Sequence, residues 1–331
     1  MSKHKNLSIF IPHLGCPNQC SFCDQHSISG AEKAPSAEQV WEMCNEFLPK
    51  EDGKNCEIAF FGGSFTAIDK TYMQSLLQTA SEFIACGRAE GIRISTRPDC
   101  IDEEILKILK KYGVTSIELG AQSMQDDVLL LNKRGHTCQD VEKAAALIKQ
   151  YGFSLGLQMM TGLYGQNDYM ACAVDTAQKF VELSPDTVRI YPTLTLKNTM
   201  LEQVYNQGKY IPPDVEQTVE ICAVLMDIFK KANIKIIKMG LHSDVGMEQK
   251  IVAGPYHPAF RELCLAKEKL NKIKYQLTNI DKKSITIKVN PSRLSQWKGQ
   301  KNSNIHQLAL MGYNAQIVAD GTIKEDDFII V

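Results

Sequence analysis

No apolar run in this 331-residue chain approaches the roughly 18 residues that a membrane-spanning helix needs. The opening stretch, MSKHKNLSIFIPHLG, is basic but offers only about five apolar residues before Pro12, short of a secretory h-region. A soluble, cytoplasmic protein with no membrane partner is the expectation. An excess of one charge is missing too. The 37 Lys and Arg balance 38 Asp and Glu, for a net charge of −1, so the molecule as a whole has no field to attract DNA. A disulfide framework is also missing. The eleven cysteines are an odd number and cannot all pair. Eight stand singly (Cys44, Cys56, Cys86, Cys100, Cys138, Cys172, Cys222, Cys264), several in helical apolar patterns, where they read as buried free thiols. No G-x-G-x-x-G follows the first apolar run, which argues against a dinucleotide fold. One absence is local. Cys16, Cys20 and Cys23 crowd into HLGCPNQCSFCDQHS, residues 13–27, and no fourth cysteine closes a tetrahedral metal site.

What the chain does have, over its first two thirds, is alternation. Strand-like runs at 7–11, 57–63, 92–96, 116–123, 154–162 and 187–194 are separated by amphipathic helical segments. Ser36 and Gln39 have capping-box spacing. Residues 102–113 open acidic and close with lysines and Gly113, as a helix dipole and C-cap prefer. Thr137 and Asp140 begin another helix, and 167–184 forms a fifth. Six βα units imply an α/β fold with a parallel sheet covered by helices, either an open doubly wound sheet or a partial barrel. In both, chemistry gathers in loops after the strands. The cysteine cluster, GGSF, TRPD, GAQS, MMTG and YPTL all fall there. A long helix at 214–233 and a seventh strand at 235–241 follow.

Thiolates are soft ligands that suit zinc, copper(I) or iron–sulfur clusters. His26 could complete a three-cysteine, one-histidine zinc site. A cubane cluster held by only three thiolates instead leaves one iron open to another ligand.

Cys-x3-Cys-x2-Cys in the first loop of a βα fold, with Phe22 before the last cysteine, resembles the radical S-adenosylmethionine (SAM) superfamily. The resemblance implies a partial TIM-like barrel over about 1–265. It further implies a 4Fe–4S cluster on Cys16, Cys20 and Cys23, and SAM bound at the open iron and cleaved to a 5′-deoxyadenosyl radical. An electron donor such as flavodoxin or ferredoxin is then a partner. FFGGSFTAI resembles the segment whose backbone faces the SAM amino group, making Gly62, Gly63 and Ser64 candidates; a plain βα turn is the alternative. IELGAQSM, LNKRGHT and GLQMMTGLYGQ resemble segments of the Elongator catalytic subunit and of oxygen-independent coproporphyrinogen dehydrogenases. By that match Gln122 and Arg134 would contact SAM, Arg134 through the carboxylate. Ser95 and Gln158 fall where the family often carries an acid. Phe22 would lie near the adenine or in a core. The Elongator-like branch implies RNA, such as tRNA, as substrate, although no acetyltransferase domain is present in these residues. A small-molecule substrate of the coproporphyrinogen type and a zinc-stapled, non-catalytic RNA-binding protein are the rivals.

Residues 267–304 hold nine Lys and one Arg against Glu268 and Asp281. Overlapping this block, 275–331 reads as strand, helix, turn, helix, strand and resembles a minimal KH-type RNA-binding module. GQKN, residues 299–302, stands for its Gly-x-x-Gly loop. Lys298, Gly299 and Lys301 would track a phosphate backbone, with Trp297 as a stacking platform. Tyr256 and His257, in AGPYHPAFRELC, are candidates to handle a proton or radical; a Pro-bounded turn capping a helix is the alternative.

Overall fold

The structure is a computed structural model and describes residues 5–11, 16–24, 34–241, 248–278, 280 and 282–331. The chain divides into two compact units. The first comprises residues 1–212 and 232–254, the second 213–231 and 255–331.

The first unit is built on a seven-stranded parallel sheet. Its strands are β1 (Lys5–Ile11), β2 (Cys56–Gly62), β3 (Gly91–Thr96), β4 (Val114–Gln122), β5 (Ser154–Thr161), β6 (Thr187–Pro192) and β8 (Lys235–Met239). They lie side by side in chain order. A doubly wound sheet reverses direction at a switch point; this one never does, which settles the choice in favour of the partial barrel. β7 (Thr195–Leu196) pairs antiparallel with β9 (Ile251–Ala253) apart from it.

Local sequence explains the helices. Ser36 caps α1 (Ala37–Phe47): its hydroxyl accepts from Gln39 N–H, and the Gln39 side chain accepts from Ser36 N–H at 2.9 Å. α2 (Lys70–Ala85) starts on Asp69, and α3 (Glu103–Lys111) starts on Asp102. Gly113, at φ +79°, ends α3. α4 (Asp126–Leu131) leads to α5 (Cys138–Gln150), whose cap is the reciprocal Thr137–Asp140 pair. α6 (Tyr169–Leu183) and α7 (Met200–Asn206) complete this unit.

The strands have two faces. Ile9, Ile58, Phe60, Ile92, Ile94, Ile117, Leu119, Leu155, Leu157, Val188 and Ile190 are buried on one side, as strand alternation requires. The intervening positions turn to the concave face, where polar Glu57, Arg93, Ser95, Ser116, Glu118, Gln158 and Arg189 stand among apolar Phe61 and Met160. The sheet's curl has a direct witness. Three strands lie between β2 and β6, yet the Arg189 guanidinium carbon lies 5.0 Å from the Phe61 ring centroid.

The second unit holds α8 (Val215–Lys231), α9 (Phe260–Leu277), β10 (Ser284–Val289), α10 (Leu294–Lys298), α11 (Ser303–Leu310), β11 (Asn314–Ala319) and β12 (Phe328–Ile330). β10 is central, parallel to β11 and antiparallel to β12. The strand–helix–turn–helix–strand order is present. Lys301 and Asn302 both adopt left-handed backbone, at φ +51° and +61°, a conformation Asn tolerates well. Two expectations change here. The boundary placed at 265–275 falls inside α9, whose Leu270, Ile273 and Leu277 join the core of this unit. Trp297 is no stacking platform. It is fully buried in that core, packed on Phe328 with the Lys269 ammonium 5.1 Å over its ring.

Candidate active site

The ends of β2, β3, β4 and β5 and the loop after β1 surround a cavity of about 430 Å³. Cys16, Cys20 and Cys23 line it together with Phe22, Gly62, Gly63, Ser64, Ser95, Gln122, Arg134 and Gln158. Every residue expected from sequence around the cofactor is therefore in one place. The cysteine loop is tied down from elsewhere. Ser21 N–H donates to Asn132 O at 3.1 Å and its hydroxyl to Asn132 Oδ1 at 2.7 Å. Leu201 N–H donates to Ser21 O at 2.8 Å. Asn132 is itself fully buried and donates to Val128 O and Tyr164 O. Phe22 lines the cavity and also packs on the Leu201–Val204–Tyr210 cluster.

Gly62 meets β1 closely. It sits at φ +117°, and a Cβ there would lie 2.7 Å from Ile11 O. Gly63 N–H donates to Ile11 O at 3.0 Å. Ser64 is buried beneath, its hydroxyl 2.8 Å from that of Thr96 and accepting from Arg97 N–H at 3.2 Å. On the opposite wall β4 ends irregularly, with its register broken between Leu119 and Gln122, and Gln122 at φ +67°. Arg134 donates to Cys20 Sγ at 2.9 Å and to Gly120 O at 2.5 Å. Its Nε and the Oε1 of Gln122 are buried without a partner. Two unsatisfied groups of opposite hydrogen-bonding sense in one wall are costly unless a ligand supplies both an acceptor and a donor.

The thiols reinforce this picture. Burial, then the neighbouring Cys20 and Cys16, push the Cys23 thiol up to about 12, with Arg134 opposing. Three crowded thiolates need a metal centre to stay ionised. Cys16, Cys20 and Cys23 line one cavity, and thiolates are soft donors that suit an iron–sulfur cubane. The donor set thus fits the cluster. His26, the fourth ligand considered for zinc, lies outside the described residues.

Several lining residues gave no clear signal in sequence. Arg97 is buried and holds Asp99 through two bonds, at 2.9 and 2.8 Å; the i, i+2 charge pair in TRPD was its only trace. Glu118 is fully buried beneath the cavity. It accepts from Arg189 Nε (2.5 Å) and NH2 (2.8 Å), from Arg93 NH1 (3.2 Å) and from Gln158 Nε2 (2.9 Å). Gln158 Nε2 also reaches Ser95 Oγ at 3.3 Å. Of the remaining candidates, His257 lies in the second unit, where Nδ1 accepts from Ala259 N–H at 3.0 Å ahead of α9. The N-cap of α9 is Ala259, and no side chain caps that helix. Tyr256 precedes it in the same unit.

The Radical SAM superfamily model matches residues 10–174, and the Radical SAM C-terminal domain model matches 185–272. The chain belongs to the radical SAM superfamily. It is 25% identical over 239 residues to a tRNA uridine(34) acetyltransferase of Dehalococcoides mccartyi, covering 62% of this chain and 52% of that protein. It is 26% identical over 233 residues to human Elongator complex protein 3, covering 64% and 42%. The chain therefore spans about half the length of these relatives. Among solved structures, Elp3 of Methanocaldococcus infernus superposes with a TM-score of 0.62 at 20% identity, over 84% of this chain and 64% of that one. Coproporphyrinogen III oxidase of Escherichia coli gives 0.51 at 18%, over 70% and 53%. Both share the partial-barrel fold.

Proposed function

We propose that this radical SAM enzyme modifies a uridine of tRNA, with Cys16, Cys20 and Cys23 holding a 4Fe–4S cluster and SAM bound in the adjoining cavity. The observation that carries the cofactor reading is the wall of the cavity. Buried Arg134 Nε and Gln122 Oε1 lack partners beside three thiols, and the amino-acid end of SAM offers a carboxylate to the first and an ammonium to the second. Cleavage of SAM at the reduced cluster supplies a 5′-deoxyadenosyl radical and methionine, with the electron drawn from a flavodoxin- or ferredoxin-like donor. The chain's own residues bind and orient. Gly62 and Gly63 leave room for a ligand against the backbone of β2. Ser95 and Gln158 present polar groups lower on the wall, and Phe22 offers an aromatic edge.

The RNA reading rests on relatives whose names specify tRNA uridine, and on the second unit. That support is narrower than the lysine count suggests. Lys267 pairs with Glu220, Lys272 with Glu268, Lys269 with Asp326 and Lys288 with Asp320. Lys298 and exposed Lys301, beside the left-handed turn at 299–302, form no ion pair among the described residues, and these with Gly299 are the backbone contacts we assign in a KH-like module.

The test is anaerobic reconstitution followed by measurement of 5′-deoxyadenosine with and without total unmodified tRNA. Formation of the nucleoside, stimulated by tRNA, is the expected result. Absence of any cleavage by iron-loaded protein would sink the cofactor reading. Cleavage indifferent to tRNA would move the substrate to a small molecule.

A further inference from the structure

The concave face of the sheet carries a second constellation beside the cavity. Parallel register pairs Phe10 with Phe61, Ser95 with Glu118, Gln158 with Arg189, and Met160 with Tyr191, so these side chains share the face. The lower level is closed: Glu57, Arg93, Ser116 and Glu118 are all buried. The upper level is open. Phe10 is 39% exposed, and Phe61, Gln158, Met160, Arg189 and Tyr191 are half-buried. Phe10 and Phe61 meet with centroids 6.4 Å apart and planes tilted by 50°. The Arg189 guanidinium covers Phe61, and its NH1 lies 3.5 Å from the Tyr191 hydroxyl.

The chemistry of this level is selective. Glu118 takes two bonds from Arg189, so that guanidinium is already neutralised and is a poor anchor for a phosphate. Its NH1 keeps donor capacity, since its one contact is long. Gln158 spends its nitrogen on Glu118 and Ser95, which leaves its carbonyl oxygen to accept. A donor and an acceptor above half-open aromatic rings fit a flat, neutral heterocycle whose edge carries a carbonyl beside an N–H. Gly62, next to Phe61, and Gln158 itself both line the cavity, so such a ring would lie within reach of a ligand there.

We infer that Phe10, Phe61, Arg189 and Tyr191, with the Gln158 amide, bind one unstacked uracil base of the RNA substrate. The inference rests on the tRNA reading above, and it names the residues that take the base out of the strand. Extruding a base costs a few kcal/mol, which stacking on the aromatic pair offsets.

Photo-crosslinking tests it on the full chain. A tRNA transcript with 4-thiouridine in place of uridine is bound at low salt and irradiated in the near ultraviolet, and the crosslinked peptides are identified by mass spectrometry. Crosslinks on the peptides bearing Phe10, Phe61 or Tyr191 are expected. Phe61→Leu should lower the yield at the Tyr191 peptide by about tenfold, the loss of one stacked base, with unchanged far-ultraviolet circular dichroism. Retention of the RNA with crosslinks only elsewhere would overturn the base site while leaving the RNA reading intact. Failure of filter binding to retain the RNA at all would overturn both.

Discussion

Single residues carry three predictions. Gly62 has a backbone that side chains rarely adopt, and a methyl group there runs into Ile11 O at 2.7 Å. Gly62→Ala should lower stability by more than about 1 kcal/mol, read from urea denaturation. Cys20 is the buried member of the thiol trio, and Arg134 reaches its sulfur. Cys20→Ala should reduce iron bound after anaerobic reconstitution to background without unfolding the protein; iron retained at the wild-type level would exclude Cys20 as a ligand. His136 is buried, with Nε2 3.2 Å from Ala121 O. Burial, aided by Arg134, lowers its pKa from 6.5 to about 4. The folded protein therefore holds the neutral ring, and the unfolded chain takes up a proton first as pH falls. Stability from this group is complete above about pH 6.5 and declines toward pH 4, by about 3 kcal/mol in all. Urea midpoints across that window should show the decline, and His136→Asn should flatten it. The thiols were legible one by one because their spacing is local. The partners of Arg134 were not, because Cys20 and Gly120 are brought to it only by the fold.

At the scale of elements, caps and strand alternation were readable and cross-strand charges were not. Ser36 with Gln39 and Thr137 with Asp140 specify helix starts within four residues, and both boxes are closed. Strand edges fell within about two residues of expectation. The letters of β4 and β6 show acids and bases at alternate positions, yet nothing in them says that Glu118 faces Arg189, 71 residues away. Only the curl of the sheet brings them together. This buried pair should be costly to break. Glu118→Ala leaves half-buried Arg189 and buried Arg93 short of a partner and should destabilise by about 3 kcal/mol. The exposed i, i+4 pair of Glu103 and Lys107 makes the contrast: Glu103→Ala should leave the denaturation curve unchanged, because solvent screens such pairs.

At the scale of the molecule, the division into two units ran against the sequence. The pattern of charges suggested a cut near 265–275, but α9 continues through it, and Leu270, Ile273 and Leu277 pack with Ile287, Val289 and Trp297. A chain ended after residue 265 should lose these contacts, expose α8 and the remaining third of α9, and elute as aggregate in gel filtration, whereas the full chain should elute as a single species. Trp297 shows the same limit. Beside lysines in sequence it reads as a surface platform, yet it is buried in that core, where the Asn304 amide donates to Ala266 O and Trp297 O at 2.8 and 2.9 Å. The sequence by itself determined the parallel α/β class, the helix starts and the three-thiol loop, since each rests on residues a few positions apart, where period, capping and ligand spacing act. The tertiary structure alone decided that the sheet is a partial barrel, that its concave face is closed below by an ion network, and which tryptophan and lysines are withdrawn from the surface. Those outcomes depend on contacts between distant strands and helices, and such contacts exist only once the chain has closed on itself.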